Sequence, residues 1–194
     1  MLLRRNFLHA LASFGAWLAL SPDSLSAAEP QIGGRFILSD HTGRIVTDQD
    51  FHGKFMLIFF GYTFCPDICP TALGTVAEAL ARLDGAEADR LTPVFVTVDP
   101  ERDTAARLRE FVGHFHPRLV GLTGNPEMIE RMTRTYKVTY RKVPGAQGAA
   151  PDEYLIDHSA GLYLMDREGR FRVKFLHGMG PEELARRLRE ELSR

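Results

Sequence analysis

The chain has 194 residues, 44% of them hydrophobic, with 24 Lys and Arg against 25 Asp and Glu for a formal net charge of −1. That composition suits one globular domain; it argues against disorder and gives no general electrostatic attraction for nucleic acid or an anionic membrane. Two cysteines are too few for a disulfide-stapled scaffold, an all-cysteine zinc site or an iron–sulfur cluster.

Met1–Arg5 is short and basic, Phe7–Leu20 is largely apolar, and Ser26-Ala27-Ala28 has the small-x-small spacing that a signal peptidase needs. The pattern predicts a signal peptide over Met1–Ala28, cleavage before Glu29, and a single mature domain over Glu29–Arg194. Arg4-Arg5 resembles a twin-arginine export signal and also suits a Sec leader. The apolar run contains His9 and Ser13 and falls short of the ~20 residues a spanning helix needs. An uncleaved inner-membrane anchor is the alternative. Either way the domain is expected in the periplasm.

Arg35–Ser39 and Ile45–Thr47 read as a hairpin about His41-Thr42-Gly43. Phe55–Phe60 is a continuous apolar run, as a strand buried on both faces requires. Leu73, Val76, Ala77, Leu80 and Leu83 give Pro70–Leu83 the helical period, with the helix starting near Cys69. Leu91–Val98 is a second buried strand. Asp103-Thr104 caps a helix that runs to Phe115 and is stopped by Pro117; Leu119–Leu122 is a short strand. Asn125-Pro126 opens a helix to about Tyr136, and Val138–Val143 is extended. Val143–Asp152, rich in Gly, Pro and Ala, reads as a mobile loop. Gly161–Met165 and Arg170–Phe175 flank a turn, and Pro181–Leu192 closes the chain as an amphipathic helix. Strands alternating with helices predict a central sheet covered on both faces.

Cys65 and Cys69 lie in the connection from the first buried strand to its helix, at the strand's carboxyl end, where open α/β sheets place their sites. A cysteine there meets unpaired amides and the positive end of the helix dipole, which favour thiolate. Three residues intervene rather than two, so the spacing is not that of a thioredoxin-type couple. His158, in a loop before Gly161–Met165, can lie close by. Two thiolates and one imidazole form a soft three-coordinate site that suits Cu(I) and can also hold Cu(II) or zinc, with Asp157 able to support the imidazole. Asp99 and Arg102 read as a turn and cap, His114 and His116 as a solvated pair, and His177 and Met179 as parts of a turn.

GYTFCPDICPTAL (61–73), VTVDPERDT (96–104) and YLIDHSAGLYLMDREGRF (154–171) resemble, in order and separation, the Sco/SenC family of copper chaperones. The likeness runs from about Gly33 to Leu192. It implies a thioredoxin-like α/β fold, with a central mixed sheet, helices on both faces and an N-terminal hairpin. It also implies copper, as Cu(I) or Cu(II), held by Cys65, Cys69 and His158, and a cysteine pair able to close into a disulfide. The implied role is assembly of the binuclear copper centre of cytochrome c oxidase. The copper-bearing oxidase subunit would be the partner, with a periplasmic copper donor or a thioredoxin-like reductant besides. The competing function is a thiol–disulfide oxidoreductase that keeps the oxidase's copper-site cysteines reduced. It would use Cys65 and Cys69 as a redox-active dithiol and have no need of His158.

Overall fold

Seven consecutive buried residues make β3 (Phe55–Gly61) the spine of the molecule, because a strand covered on both faces can carry apolar side chains at every position. β3 pairs in parallel with β4 (Leu91–Thr97), and β4 in parallel with β5 (Val120–Thr123). On its other edge β3 meets β8 (Leu162–Met165) antiparallel, and β8 forms a hairpin with β9 (Phe171–Phe175). The N-terminal hairpin of β1 (Ile37–Asp40) and β2 (Ile45–Thr47) joins through β5, giving a seven-stranded mixed sheet in the order β2-β1-β5-β4-β3-β8-β9. The computed structural model describes residues 31–145, 150 and 153–194. The expected signal peptide and most of the expected Val143–Asp152 loop lie outside those residues.

Register fixes which side chains share a face. Phe59 stands opposite Phe95 on β4 and Leu162 on β8. Against that face pack α1 (Ile68–Ala81), α3 (Ala105–Gly113), whose Phe111 meets Phe95, and α5 (Pro181–Leu192), which also packs on α1. The other face carries Phe60 and Tyr163, covered by Tyr136 at the end of α4 (Pro126–Thr135). Thr104 and Asn125 cap α3 and α4, accepting the amides of Arg107 and Met128. A short helix, α2 (Gly85–Asp89), closed by an Asp84–Glu87 capping box, went unread because five residues are too few to show a period.

One expectation fails in a way that matters for the site. Tyr154–His158 is a strand, β7, rather than a loop; it pairs with β6 (Tyr140–Pro144) in a separate two-stranded sheet. The antiparallel register sets His158 opposite Tyr140.

Candidate metal centre

β3 ends at Gly61, and the next six residues turn the chain into α1. A buried carboxylate holds this turn. Asp103, with no exposed surface, accepts from the Thr63 amide (3.0 Å), the Thr63 hydroxyl (2.7 Å) and the Thr97 hydroxyl (2.7 Å). The cap of α3 falls to Thr104, which frees Asp103 to anchor the cysteine loop from below. Burial raises its pKa, and the three threonine bonds oppose that rise.

The helix begins at Ile68, one residue before the expected start. No side-chain oxygen caps it; the Cys69 amide points instead at Cys65 Sγ, 3.4 Å away. The Cys65 sulfur therefore occupies the positive end of the helix, where thiolate is favoured. Pro70 sits in the first turn, where its missing amide would have had no partner in the helix. Cys69 lies fully buried beneath, and both residues are free thiols. Gly61 makes room for Cys69: a Cβ there would stand 2.7 Å from its sulfur.

β7 delivers the third group. Residues 154, 156 and 158 face the body of the protein, and His158 Nε2 lies 3.6 Å from Cys69 Sγ. Its Nδ1 faces the carbonyl of Ser159 at 3.2 Å, a contact in which Nδ1 carries a proton and Nε2 is turned to the sulfur side. Phe59 and Tyr62 meet the imidazole edge-on, with ring centroids 6.1 and 6.0 Å away. Among the described residues, one group of three or more His, Cys, Asp or Glu brings its ligand atoms together: Cys65, Cys69 and His158, all within 4.8 Å of one another.

The two thiols differ in character. A hydrogen bond from Cys69 is the main influence lowering the Cys65 pKa to about 3; burial opposes it, and His158 adds to it. Cys69 is pushed up, first as the donor to Cys65 and then by its own burial. One sulfur is a ready thiolate; its neighbour holds its proton until something displaces it.

The structure settles the remaining candidates. Asp157 does not support the imidazole; strand alternation turns it outward, where it pairs with Arg141 at 3.0 Å. The Ser159 carbonyl takes the place expected of it. His114 is exposed, and His116 Nδ1 accepts the Arg118 amide at 3.1 Å. His177 and Met179 lie between β9 and α5, outside the ligand group. Asp99 and Arg102 are more than a turn and a cap. The Asp99 side chain is wholly buried and binds Arg102 Nε at 2.5 Å and the Tyr154 hydroxyl at 2.7 Å. Sequence reading missed Tyr154 and Gly61; the former's signal was an aromatic four residues before the candidate ligand on a period of two.

The SCO1/SenC family model matches residues 25–193. The chain belongs to the SCO1/SenC family. The Schizosaccharomyces pombe Protein sco1 is 44% identical over 157 residues, which span 81% of this chain and 59% of that protein. Copper-bound ScoI of Bradyrhizobium japonicum is 45% identical and superposes with a TM-score of 0.74, over 82% of this chain and 98% of that one. Copper-bound yeast Sco1 is 35% identical with a TM-score of 0.77, over 84% and 90% of the two chains. The thioredoxin-like architecture of these Sco structures is the fold found here. Relatives in the family have been solved with copper bound, and this member has a Cys-Cys-His group with the right donors to hold a metal. No helix among the described residues is long and apolar enough to cross a membrane.

Proposed function

We propose that this Sco protein binds one copper ion through Cys65 Sγ, Cys69 Sγ and His158 Nε2 and delivers it to the binuclear copper centre of cytochrome c oxidase in the periplasm. The observation that carries the reading is the convergence of two sulfurs and one imidazole nitrogen within 4.8 Å, from a loop, a helix and a strand of a second sheet. The donors fit the cargo. Soft thiolates favour Cu(I), three ligands suit its low coordination number, and the imidazole extends the site toward Cu(II). Binding displaces the Cys69 proton, so loading releases acid and strengthens as pH rises. A site half-open at Cys65 and His158 lets an acceptor's sulfur or nitrogen replace one ligand at a time.

An anaerobic Cu(I) titration of reduced Glu29–Arg194 against a competing chelator, with Cys69→Ser and His158→Ala in parallel, tests this reading. One tight site, lost in the cysteine variant and weakened in the histidine variant, is the expected result. Weak binding indifferent to His158 would overturn it. The second reading, a dithiol reductase acting on the oxidase's copper-site cysteines, draws on the unequal thiols: Cys65 as the attacking thiolate, Cys69 buried behind it to resolve the mixed disulfide. Disulfide reduction undiminished in His158→Ala would favour it.

A further inference from the structure

The two halves of the metal centre belong to different sheets. The cysteines ride on the β3–α1 connection, whereas His158 ends a hairpin that shares no ladder with the main sheet. Something must set the distance between them. Tyr62 reaches across from the cysteine connection to the imidazole, and Arg102, which belongs to neither half, touches both. Its Nη1 donates to the Tyr154 carbonyl at 3.0 Å, and its guanidinium centre lies 3.6 Å from the centroid of the Tyr154 ring, on the strand that carries His158. The same guanidinium lies 4.7 Å from the ring of Phe64, next to Cys65, and 5.8 Å from that of Tyr62, which flanks the imidazole. Asp99 fixes it from within, its buried carboxylate accepting Arg102 Nε on one oxygen and the Tyr154 hydroxyl on the other.

We infer that the Asp99–Arg102–Tyr154 cluster is a positioning clamp for the metal centre, holding the His158 strand against the cysteine loop and so setting the reach of Nε2 to the two sulfurs. The inference rests on Cys65, Cys69 and His158 being the ligands. A planar, delocalised cation is suited to this role, because it can donate along its edge to a carboxylate and a carbonyl while its faces lie against aromatic rings. Lysine, a point charge on a flexible stem, cannot do both. Lys142 reinforces the same ring from outside, with Nζ 4.6 Å from the Tyr154 centroid and 2.7 Å from Glu101.

The test is a double-mutant cycle on Cu(I) affinity, measured by chelator competition for Arg102→Lys and Tyr154→Phe, each with and without His158→Ala. Tyr154→Phe keeps the ring and removes the hydroxyl that bonds buried Asp99 and, at the surface, faces Lys142, so it guards against a misfolded Arg102 variant. Groups that orient a metal ligand typically account for about 10–100-fold in affinity. Each clamp variant is expected to weaken binding by that order in the His158 background and by less than threefold once His158 is gone. In the metal-free reduced protein, the imidazole nitrogen resonances of His158 should shift in Tyr154→Phe at a temperature well below its melting point. Equal weakening with and without His158, or no weakening at all, would overturn the clamp while leaving the ligand assignment intact. Copper affinity indifferent to His158→Ala alone would overturn both.

Discussion

Gly61→Ala puts the crowding beneath the metal centre to a direct test. The added methyl would stand 2.7 Å from Cys69 Sγ and 3.0 Å from ring carbons of Phe59 and Phe95. Non-bonded heavy atoms rest about 3.5–4.0 Å apart, so the sulfur must retreat by roughly 1 Å or the two buried rings must part. Neither is easy. Phe59 and Phe95 are fully buried and pack on each other at 6.3 Å between centroids, and overpacking of this kind costs about 1–3 kcal/mol. For a domain of this size that is a melting-point fall of about 2–12 °C. Metal–ligand distances tolerate about 0.2 Å, so an ångström of displacement at Cys69 should weaken copper binding by at least about tenfold. The assay is paired thermal melts and chelator competition, with Gly74→Ala as control: nothing lies within 4 Å of a Cβ there, and Ala in a helix interior should stabilise by about 0.5–1 kcal/mol. A folded Gly61→Ala protein with wild-type copper affinity would refute the argument.

The anchor under the cysteine loop should be equally sensitive. Asp103→Ala strips three donors of their acceptor, each costing about 1–3 kcal/mol when left buried, so urea melts should show a loss of at least about 3 kcal/mol. Alkylation of the reduced, metal-free protein at neutral pH, followed by peptide mass mapping, should label half-buried Cys65 and spare Cys69, which has no exposed surface. Copper that binds the native site alone must raise the melting point; at 1,000 times its Kd the gain is about 4 kcal/mol, and Cys65→Ser should abolish it. A further test concerns the β8–β9 turn. Burial of Asp166 raises its pKa, but bonds from Arg170 and the Glu168 amide outweigh this and hold it below the ordinary value. A carboxyl lowered in the folded state contributes stability above its unfolded pKa and loses it as pH falls through the folded one. The gap between wild type and Asp166→Ala, measured by urea melts, should be open at pH 7 and narrow below about pH 4.

Chain order and burial were legible wherever a segment declares itself through its own neighbours. FMLIFF needs no partner to read as a buried strand, and Asn125-Pro126 or Thr104 announce helix starts by local chemistry alone. Cys65 and Cys69 belong to this class, since four residues and a strand-to-helix turn suffice to bring them together. What escaped was whatever depends on the far side of the molecule. Asp103 reads as a cap until Thr63, forty residues upstream, is seen to claim it. Asp157 reads as support for His158 until the pleat of β7 turns it away. β7 itself hides because half its case is β6, on the far side of a Gly- and Pro-rich connection.

His158 is where the two kinds of information meet. Local pattern gives a lone histidine no claim to be a ligand; the position gains meaning only when β7 is docked and its imidazole lies 3.6 Å from Cys69. Docking in turn runs through groups with no metal chemistry of their own: the phenol of Tyr154, the guanidinium of Arg102 and the buried carboxylate of Asp99. The block VTVDPERDT therefore accompanies the cysteine motif for a physical reason. Asp103 at its end seats the sulfur loop, Asp99 at its start seats the imidazole strand, and a few residues of one connection hold both halves of the site in register. On this account, exchanging Asp99 for Asn should loosen the imidazole and exchanging Asp103 for Asn should loosen the sulfurs. The first should spare the reactivity of Cys65 toward alkylating agents and the second should change it. Identical alkylation rates in the two variants would show that the block acts on the fold as a whole rather than on each half of the site.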